Sequence, residues 1–214
     1  MIVGMKDNKL TELSITDSSD EELAIQAQDG DDTAFNILSA RHIKHIFNFV
    51  RQYIPKKEDA EDVVQNTFFK AWKHIKSFKK DKKFKGWLFA IARNTALDHI
   101  KKRRSFSFSE MNSTDEESGG DISFADTLTD PEPLPAEVFE RKEIAKELTG
   151  VLDQLSPDYR ATLIMHYNDE MTFEEIAVIF KKPMNTVKSW HRRALKKVRD
   201  LLRTDNHKSV VYKP

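Results

Sequence analysis

From Ser105 to Pro135 the chain reads SFSFSEMNSTDEESGGDISFADTLTDPEPLP, and the apolar periodicity that marks the sequence on either side disappears. No single core can run through such a stretch. Ser, Asp, Glu and Pro bury too little apolar surface to offset the entropy of ordering them. The 214 residues therefore divide into two parts, 20–104 and 136–203, joined by a linker over 105–135 and flanked by tails over 1–19 and 204–214.

The first part predicts four amphipathic helices closing one small core. Leu23, Ala24 and Ala27 mark a short helix from Glu21, after which Asp31 or Asp32 caps a longer one. Its stripe of Phe35, Leu38, His42, Ile43, Ile46, Phe47 and Val50 keeps the 3.6-residue period until Pro55. A third helix, from about Lys57 to Ile75, places Ala60, Val63, Val64, Thr67, Phe68 and Ala71 on its buried side. The fourth begins near Phe84 and carries Trp87, Leu88, Ile91, Thr95, Leu97 and Ile100 to the KKRR run at 101–104. Trp87 shares its face with Leu88 and Ile91 and is assigned to the core.

In the second part a helical block from Ala136 breaks at Ser156-Pro157, an N-cap followed by a proline at the first helical position. Leu163, Ile164 and Tyr167 give the next helix its apolar side. Thr172 and Glu175 have capping-box spacing at the head of TFEEIAVIF, which Lys181, Lys182 and Pro183 interrupt. A final helix from Asn185 to Leu202 turns Val187, Ala194, Leu195, Val198, Leu201 and Leu202 inward. Short helix, tight break and basic helix predict a helix-turn-helix. With only six glycines and a third of its residues charged, the chain is expected to be all-α: two helical domains on an acidic flexible linker.

Zero net charge conceals a strong segregation. Residues 41–104 hold 18 Lys/Arg against 6 Asp/Glu, residues 105–140 hold 10 acidic and no basic residues, and residues 181–203 hold 9 Lys/Arg against Asp200 alone. A surface built only for solubility mixes both signs, so the two basic blocks point to two polyanion-binding surfaces. In the helix-turn-helix, Asn185, Thr186, Lys188, Ser189, Trp190, Arg192, Arg193 and Lys196 are available to base edges and phosphates of duplex DNA. A solvated basic helix at the end of a bundle is the alternative.

Other classes fit poorly. There is no P-loop, nucleophile elbow or HExxH motif, and of seven histidines only His42 and His45 share a helix side, with no acidic ligand beside them on that face. Neither an enzyme, a metal site, a cofactor nor a small-molecule substrate is expected. The absence of cysteine excludes disulfides. The opening MIVGMKDNKLTELSITDSSDEE lacks a signal-peptide pattern and no apolar run suits a membrane span, which predicts a cytoplasmic protein without membrane insertion.

Both halves together, through DAEDVVQNTFFKAW, FKGWLFAIARNTALDHIKKR and LSPDYRATLIMHYNDEMTFEEIAVIF with NTVKSWHRRALKKVRDLL, resemble bacterial sigma-70 family factors of the extracytoplasmic-function type. The resemblance covers 20–104 and 136–203 in the family's order. It implies an initiation factor that binds core RNA polymerase and promoter DNA, opening the −10 element with its first domain and reading the duplex −35 element with its second. An anti-sigma protein is admitted as a further partner.

Asp62, Gln65 and Asn66, at i, i+3 and i+4 on one helix face, match the family's polymerase contact, with Asn66 where Glu is usual. The loop from Ser77 to Lys85 resembles its base-capture loop: Phe78 and Phe84 are expected to stack on a base, Lys79, Lys80, Lys82 and Lys83 to hold phosphates, and Asn94 to face the captured base. Lys101, Lys102, Arg103 and Arg104 extend the phosphate contacts. Two departures concern the second domain. Lys181 and Lys182 stand where the family has Gly and an apolar residue, which predicts a strained turn, and Trp190 replaces a common basic residue. A free-standing helix-turn-helix regulator and a helical interaction protein remain open alternatives, as does a channel-filling role for the linker beside that of a tether.

Overall fold

The computed structural model describes residues 18–109 and 148–210, with side chains over 18–103 and 148–203. Tails 1–17 and 211–214, the linker from residue 110 and the expected helix start near Ala136 lie outside the described residues. Among those described, all regular structure is helical. They form two compact units, the first built mainly from 18–50 and 58–109, the second mainly from 148–177 and 181–210.

The first unit contains α1 (Asp20–Gln28), α2 (Asp32–Arg51), α3 (Lys57–Lys73), a 3-10 turn (Ile75–Ser77) and α4 (Phe84–Ser109). A reciprocal capping box starts α1: Glu22 N–H donates to Ser19 Oγ at 3.3 Å while Ser19 N–H donates to Glu22 Oε2 at 2.8 Å. Gly30, at φ 100°, then turns the chain in the left-handed region between α1 and α2. Asp31 opens α2 by accepting from the N–H groups of Thr33 and Ala34.

Buried positions follow the expected stripes in part. On α4 Leu88 and Thr95 are buried as expected, but Phe89, Ala92 and Ala96 are buried with them while Ile91, Leu97 and Ile100 are half-buried, and α2 differs at three positions. Phe35, Leu38, His42, Ile46, Phe49 and Val50 are buried, whereas Ile43 is 52% exposed and Phe47 half-buried. Adjacent residues on a helix lie 100° apart, and at this pair it is His42 that faces inward and Ile43 that faces out. His42 wins the inward place because Asp20 of α1 meets its ring at 2.5 Å and because it lies 5.7 Å from the Phe84 ring. The histidine is thus a structural one. Thr67 and Thr95, buried on α3 and α4, satisfy their hydroxyls on Val63 and Ile91 carbonyls one turn back.

The second unit comprises a helical stretch over 148–153, α5 (Pro157–Tyr167), α6 (Phe173–Phe180) and α7 (Met184–Val210). Pro157 opens α5 with Ser156 at the N-cap position as expected, although the serine side chain makes no capping hydrogen bond. The Thr172–Glu175 capping box forms in both directions, at 2.8 and 3.3 Å. α5 packs against α7, and Leu152 and Leu155 of the preceding segment form one buried cluster with Leu163 and Ala194. Tyr167 and Leu195, assigned to the apolar side, are exposed instead.

Two helices outrun their expected ends: α4 passes Arg104 to reach Ser109, and α7 passes Leu202 to reach Val210. Neither extension contains Gly or Pro, and prolonging a nucleated helix adds one hydrogen bond for each residue fixed.

Candidate nucleic-acid interface

The loop between the 3-10 turn and α4 is held from beneath at both ends by α1. At its entrance Gln28 Nε2 donates to the carbonyls of Ile75 and Phe78, at 2.9 and 2.7 Å. At its exit the Phe84 N–H donates to Glu21 Oε1 at 3.2 Å, and Lys83 Nζ lies 3.9 Å from the same carboxylate. Lys79, Lys80, Lys82 and Lys83 are all exposed on the loop so fixed. Glu21 and Gln28 escaped the sequence reading. Their i, i+7 spacing, which puts two polar side chains on one face of a short helix, is the only trace they leave there.

Phe78 and Phe84 require correction. They are 4% and 1% exposed, so their faces are closed to an unstacked base. Together with Trp87 they form a three-ring cluster with centroids 5.6 to 5.7 Å apart. The two phenylalanines are the core under the loop, and Trp87, assigned to the core, packs on both of them and is half-buried. Loop rings flanked by lysines look like stacking residues in sequence, but these ones supply the apolar floor without which the loop would have no fixed shape.

Trp87, Asn94 and Lys101 lie at i, i+7 and i+14 on α4, on one face of the helix. Asn94, Lys101, Lys102 and Arg103 are exposed. Arg103 is already engaged, its guanidinium 3.0 Å from Asp59 of α3. The side chain of Arg104 lies outside the described residues.

On α3, Asp62, Gln65 and Asn66 are exposed as expected, and the row does not stop there. Phe69 is 61% and Trp72 51% exposed, one and two turns further along the same face. Both were missed. In the FFKAW segment Phe68 is half-buried and Phe69 turns outward, on the side of Gln65 and Asn66.

In the second unit, Lys181 occupies the left-handed region at φ 52°, the strained turn expected from a lysine at that position. The turn is closed by Lys182 N–H donating to the Ala177 carbonyl at 3.0 Å and by Thr186 N–H donating to that of Pro183 at 2.9 Å. Beyond it, Asn185, Lys188, Arg192, Arg193 and Lys196 are exposed along α7, with Thr186 and Ser189 half-buried. Trp190 departs from its expected role among the reading residues: it is half-buried, its ring 6.2 Å from Tyr159, and it braces α7 against α5. An indole on the packed side of an amphipathic helix buries more apolar area there than over a groove.

Among the described residues no group of three or more His, Asp or Glu side chains is arranged to hold a metal ion, and no helix is long and apolar enough to cross a membrane. Two helical units, one with lysines exposed on a braced loop and one with a helix-turn-helix, define the class of helix-turn-helix proteins with a second basic surface.

Comparison with known proteins gives the class its family. The Sigma-70 region 2 family matches residues 38–106 and the Sigma-70, region 4 family residues 145–198. The ECF RNA polymerase sigma-E factor of Escherichia coli (strain K12) is 31% identical over 175 residues, covering 80% of this chain and 87% of its relative. The RNA polymerase sigma-H factor of Pseudomonas aeruginosa is 29% identical over 177 residues, 82% and 89% of the respective chains. Among solved structures, CnrH in complex with the cytosolic domain of CnrY matches at TM-score 0.60 and 26% identity over 88% of this chain and 99% of that one. The sigma factor RpoE of Bartonella quintana, in complex with the anti-sigma factor NepR, gives 0.60 and 25% over 80% and 98%. The chain belongs to the sigma-70 family of RNA polymerase sigma factors, of the extracytoplasmic-function type. It is a non-enzymatic initiation factor and not a free-standing regulator.

Proposed function

We propose that the chain binds core RNA polymerase in the cytoplasm through the exposed face of α3 and directs it to promoters with two separate DNA surfaces. Residues 20–104 form the polymerase-binding and −10 domain, and residues 136–203 the −35 domain. The polymerase contact comprises Asp62, Gln65 and Asn66, extended by Phe69 and Trp72. Lys79, Lys80, Lys82 and Lys83 hold the backbone of the melted strand, Asn94 faces a base exposed by melting, and Lys101, Lys102, Arg103 and Arg104 reach duplex phosphates upstream. Asn185, Thr186, Lys188, Ser189, Arg192, Arg193 and Lys196 read the −35 duplex from the major groove.

The observation that carries the polymerase contact is the composition of the α3 row. Two aromatic side chains more than half exposed, beside the carboxylate of Asp62, suit a protein partner: an interface core is enriched in aromatic residues, whereas a carboxylate repels phosphate. Relatives of known structure are bound by anti-sigma proteins, CnrH by CnrY and RpoE by NepR, which supports an anti-sigma protein as a further partner here.

The test is a pull-down with purified core polymerase coupled to run-off transcription. Asp62→Arg/Gln65→Arg should abolish both while helicity, followed by circular dichroism, is retained, because neither residue enters the core. A folded double variant that binds core and starts transcripts normally would refute the α3 assignment.

A further inference from the structure

The second unit contains a ring cluster that none of the assigned contacts uses. His166, near the end of α5, stacks on Phe173 of α6 with centroids 4.5 Å apart and planes at 19°. His191 of α7 meets His166 edge-on at 5.1 Å and Phe173 at 5.1 Å. Tyr167 completes the group, its hydroxyl 3.1 Å from His191 Nε2. Three helices, including both members of the helix-turn-helix, therefore meet on two imidazoles.

The hydrogen bonds define what the neutral cluster looks like. His166 Nδ1 lies 2.9 Å from the Met171 carbonyl, which only accepts, so Nδ1 carries the hydrogen and Nε2 keeps its lone pair in the neutral ring. Neutral rings in edge-to-face contact attract through their quadrupoles. Two imidazolium ions with centroids 5.1 Å apart repel across the half-buried seam.

We infer that His166 and His191 form a proton-sensitive clasp that holds α7 against α5 and α6 while the His191 ring is neutral and loosens when that ring takes up a proton. Burial, and then the charge of the neighbouring His166, holds the His191 imidazole below the usual histidine range. The folded clasp thus binds fewer protons than the unfolded chain. Its stability is complete above the ordinary histidine pKa of about 6.5 and falls as the pH drops through the folded value.

The ionisable groups nearest the rings along the chain are Asp169 and Glu170 in the turn after α5, Glu174 and Glu175 at the head of α6, and Lys188 and Arg192 on either side of His191 along α7. Glu175 is committed to Thr172, and Asp169 is buried with its Oδ1 3.3 Å from the Asn168 amide. Lys188 and Arg192 are exposed. The link to regulation, a promoter-reading helix released by acid, rests on the reading of α7 as the −35 helix. The clasp itself does not.

Hydrogen exchange on the full chain, read by mass spectrometry and corrected for intrinsic rates, tests it without DNA. Between about pH 7.5 and pH 5, protection of α6 and α7 should fall more than about threefold relative to α3, and His191→Phe, which keeps a ring and loses the charge, should remove that dependence. Equal behaviour of α7 and α3 in the wild type, or an unchanged dependence in the folded variant, would overturn the clasp. If His191→Phe does not fold, the ring titration of wild-type His191 by NMR decides: a midpoint below the usual histidine range supports the clasp, and one at or above it overturns it.

Discussion

The two proposed DNA surfaces are both basic, yet they are built in opposite ways. The lysine loop of the first unit carries its cations outward on an apolar floor of Phe78 and Phe84 and is tied at both ends to α1 by Gln28 and Glu21. The reading helix of the second unit carries its cations on a regular α-helix, and the unusual features lie behind it: a left-handed lysine at the turn and a histidine seam beneath. An irregular loop needs side-chain anchors to have one shape, whereas a helix fixes its own register and needs only to be aimed.

Removing the floor should have the largest effect. Phe84→Ala deletes a ring that is 1% exposed and should destabilise the first unit by about 3–5 kcal/mol, with exchange protection lost in α3 and α4 and kept in α5 and α7. Protection lost equally in both units would mean that they do not unfold separately. Gln28→Ala removes one tie only. Two carbonyls lose their donor, so the loop should open locally at a gain of about 1–2 kcal/mol in favour of the open form, read as faster exchange around residues 75–84 with the midpoint of global unfolding little changed.

Smaller still is the effect at the turn of the second unit. Lys181→Gly relieves a left-handed residue, a strain of about 1–2 kcal/mol, but frees the unfolded chain by about 0.5–1 kcal/mol. A net stabilisation of up to about 1.5 kcal/mol should appear in denaturant unfolding of the second unit. Destabilisation would indicate that the lysine makes a contact worth more than its strain.

Acid should separate the units by pH alone. The hydrogen bond from His42, assisted by Arg41 and opposed by burial, holds the Asp20 carboxyl below the usual carboxylate range. A depressed carboxyl stabilises the fold above its unfolded pKa of about 3.9 and stops doing so as the pH falls through the folded value. The contribution of Asp20 to the first unit should therefore survive the histidine range in which the clasp of the second unit weakens. Asp20→Asn, followed by thermal unfolding against pH, should remove the low-pH loss from the first unit only.

Most of the fold was legible in the sequence because its signals are local: the capping box at Thr172, Ser156 before Pro157, and 3.6-residue stripes ended by Pro55. The left-handed turn at Lys181 was also legible. What was not legible depends on contacts between distant segments. The choice of His42 over Ile43 for the core is made by Asp20, 22 residues earlier. Gln28 reaches carbonyls 47 and 50 residues away, which no window of sequence contains. Phe78 and Phe84 were assigned to the surface and Trp87 wholly to the core because composition marks a ring as apolar without saying which of three will be most covered. Phe69 and Trp72 stayed hidden for the converse reason. An exposed aromatic residue on an amphipathic helix looks like core until the real core is seen to be full.

The division of labour between the two surfaces is tested most directly by measuring promoter occupancy and strand opening separately for one holoenzyme preparation of each variant. Asn94→Ala, at an exposed position outside the core, should leave core binding and duplex occupancy intact and reduce strand opening, followed by the reactivity of unpaired thymines. Arg192→Ala/Arg193→Ala should reduce duplex occupancy, alter sequence preference at the −35 element and lower the salt dependence of binding, while the complexes that do form open normally. If both variants lose occupancy and opening in the same proportion, the two basic surfaces do not act on separate steps, and the assignment of melting to the first unit and duplex reading to the second is wrong.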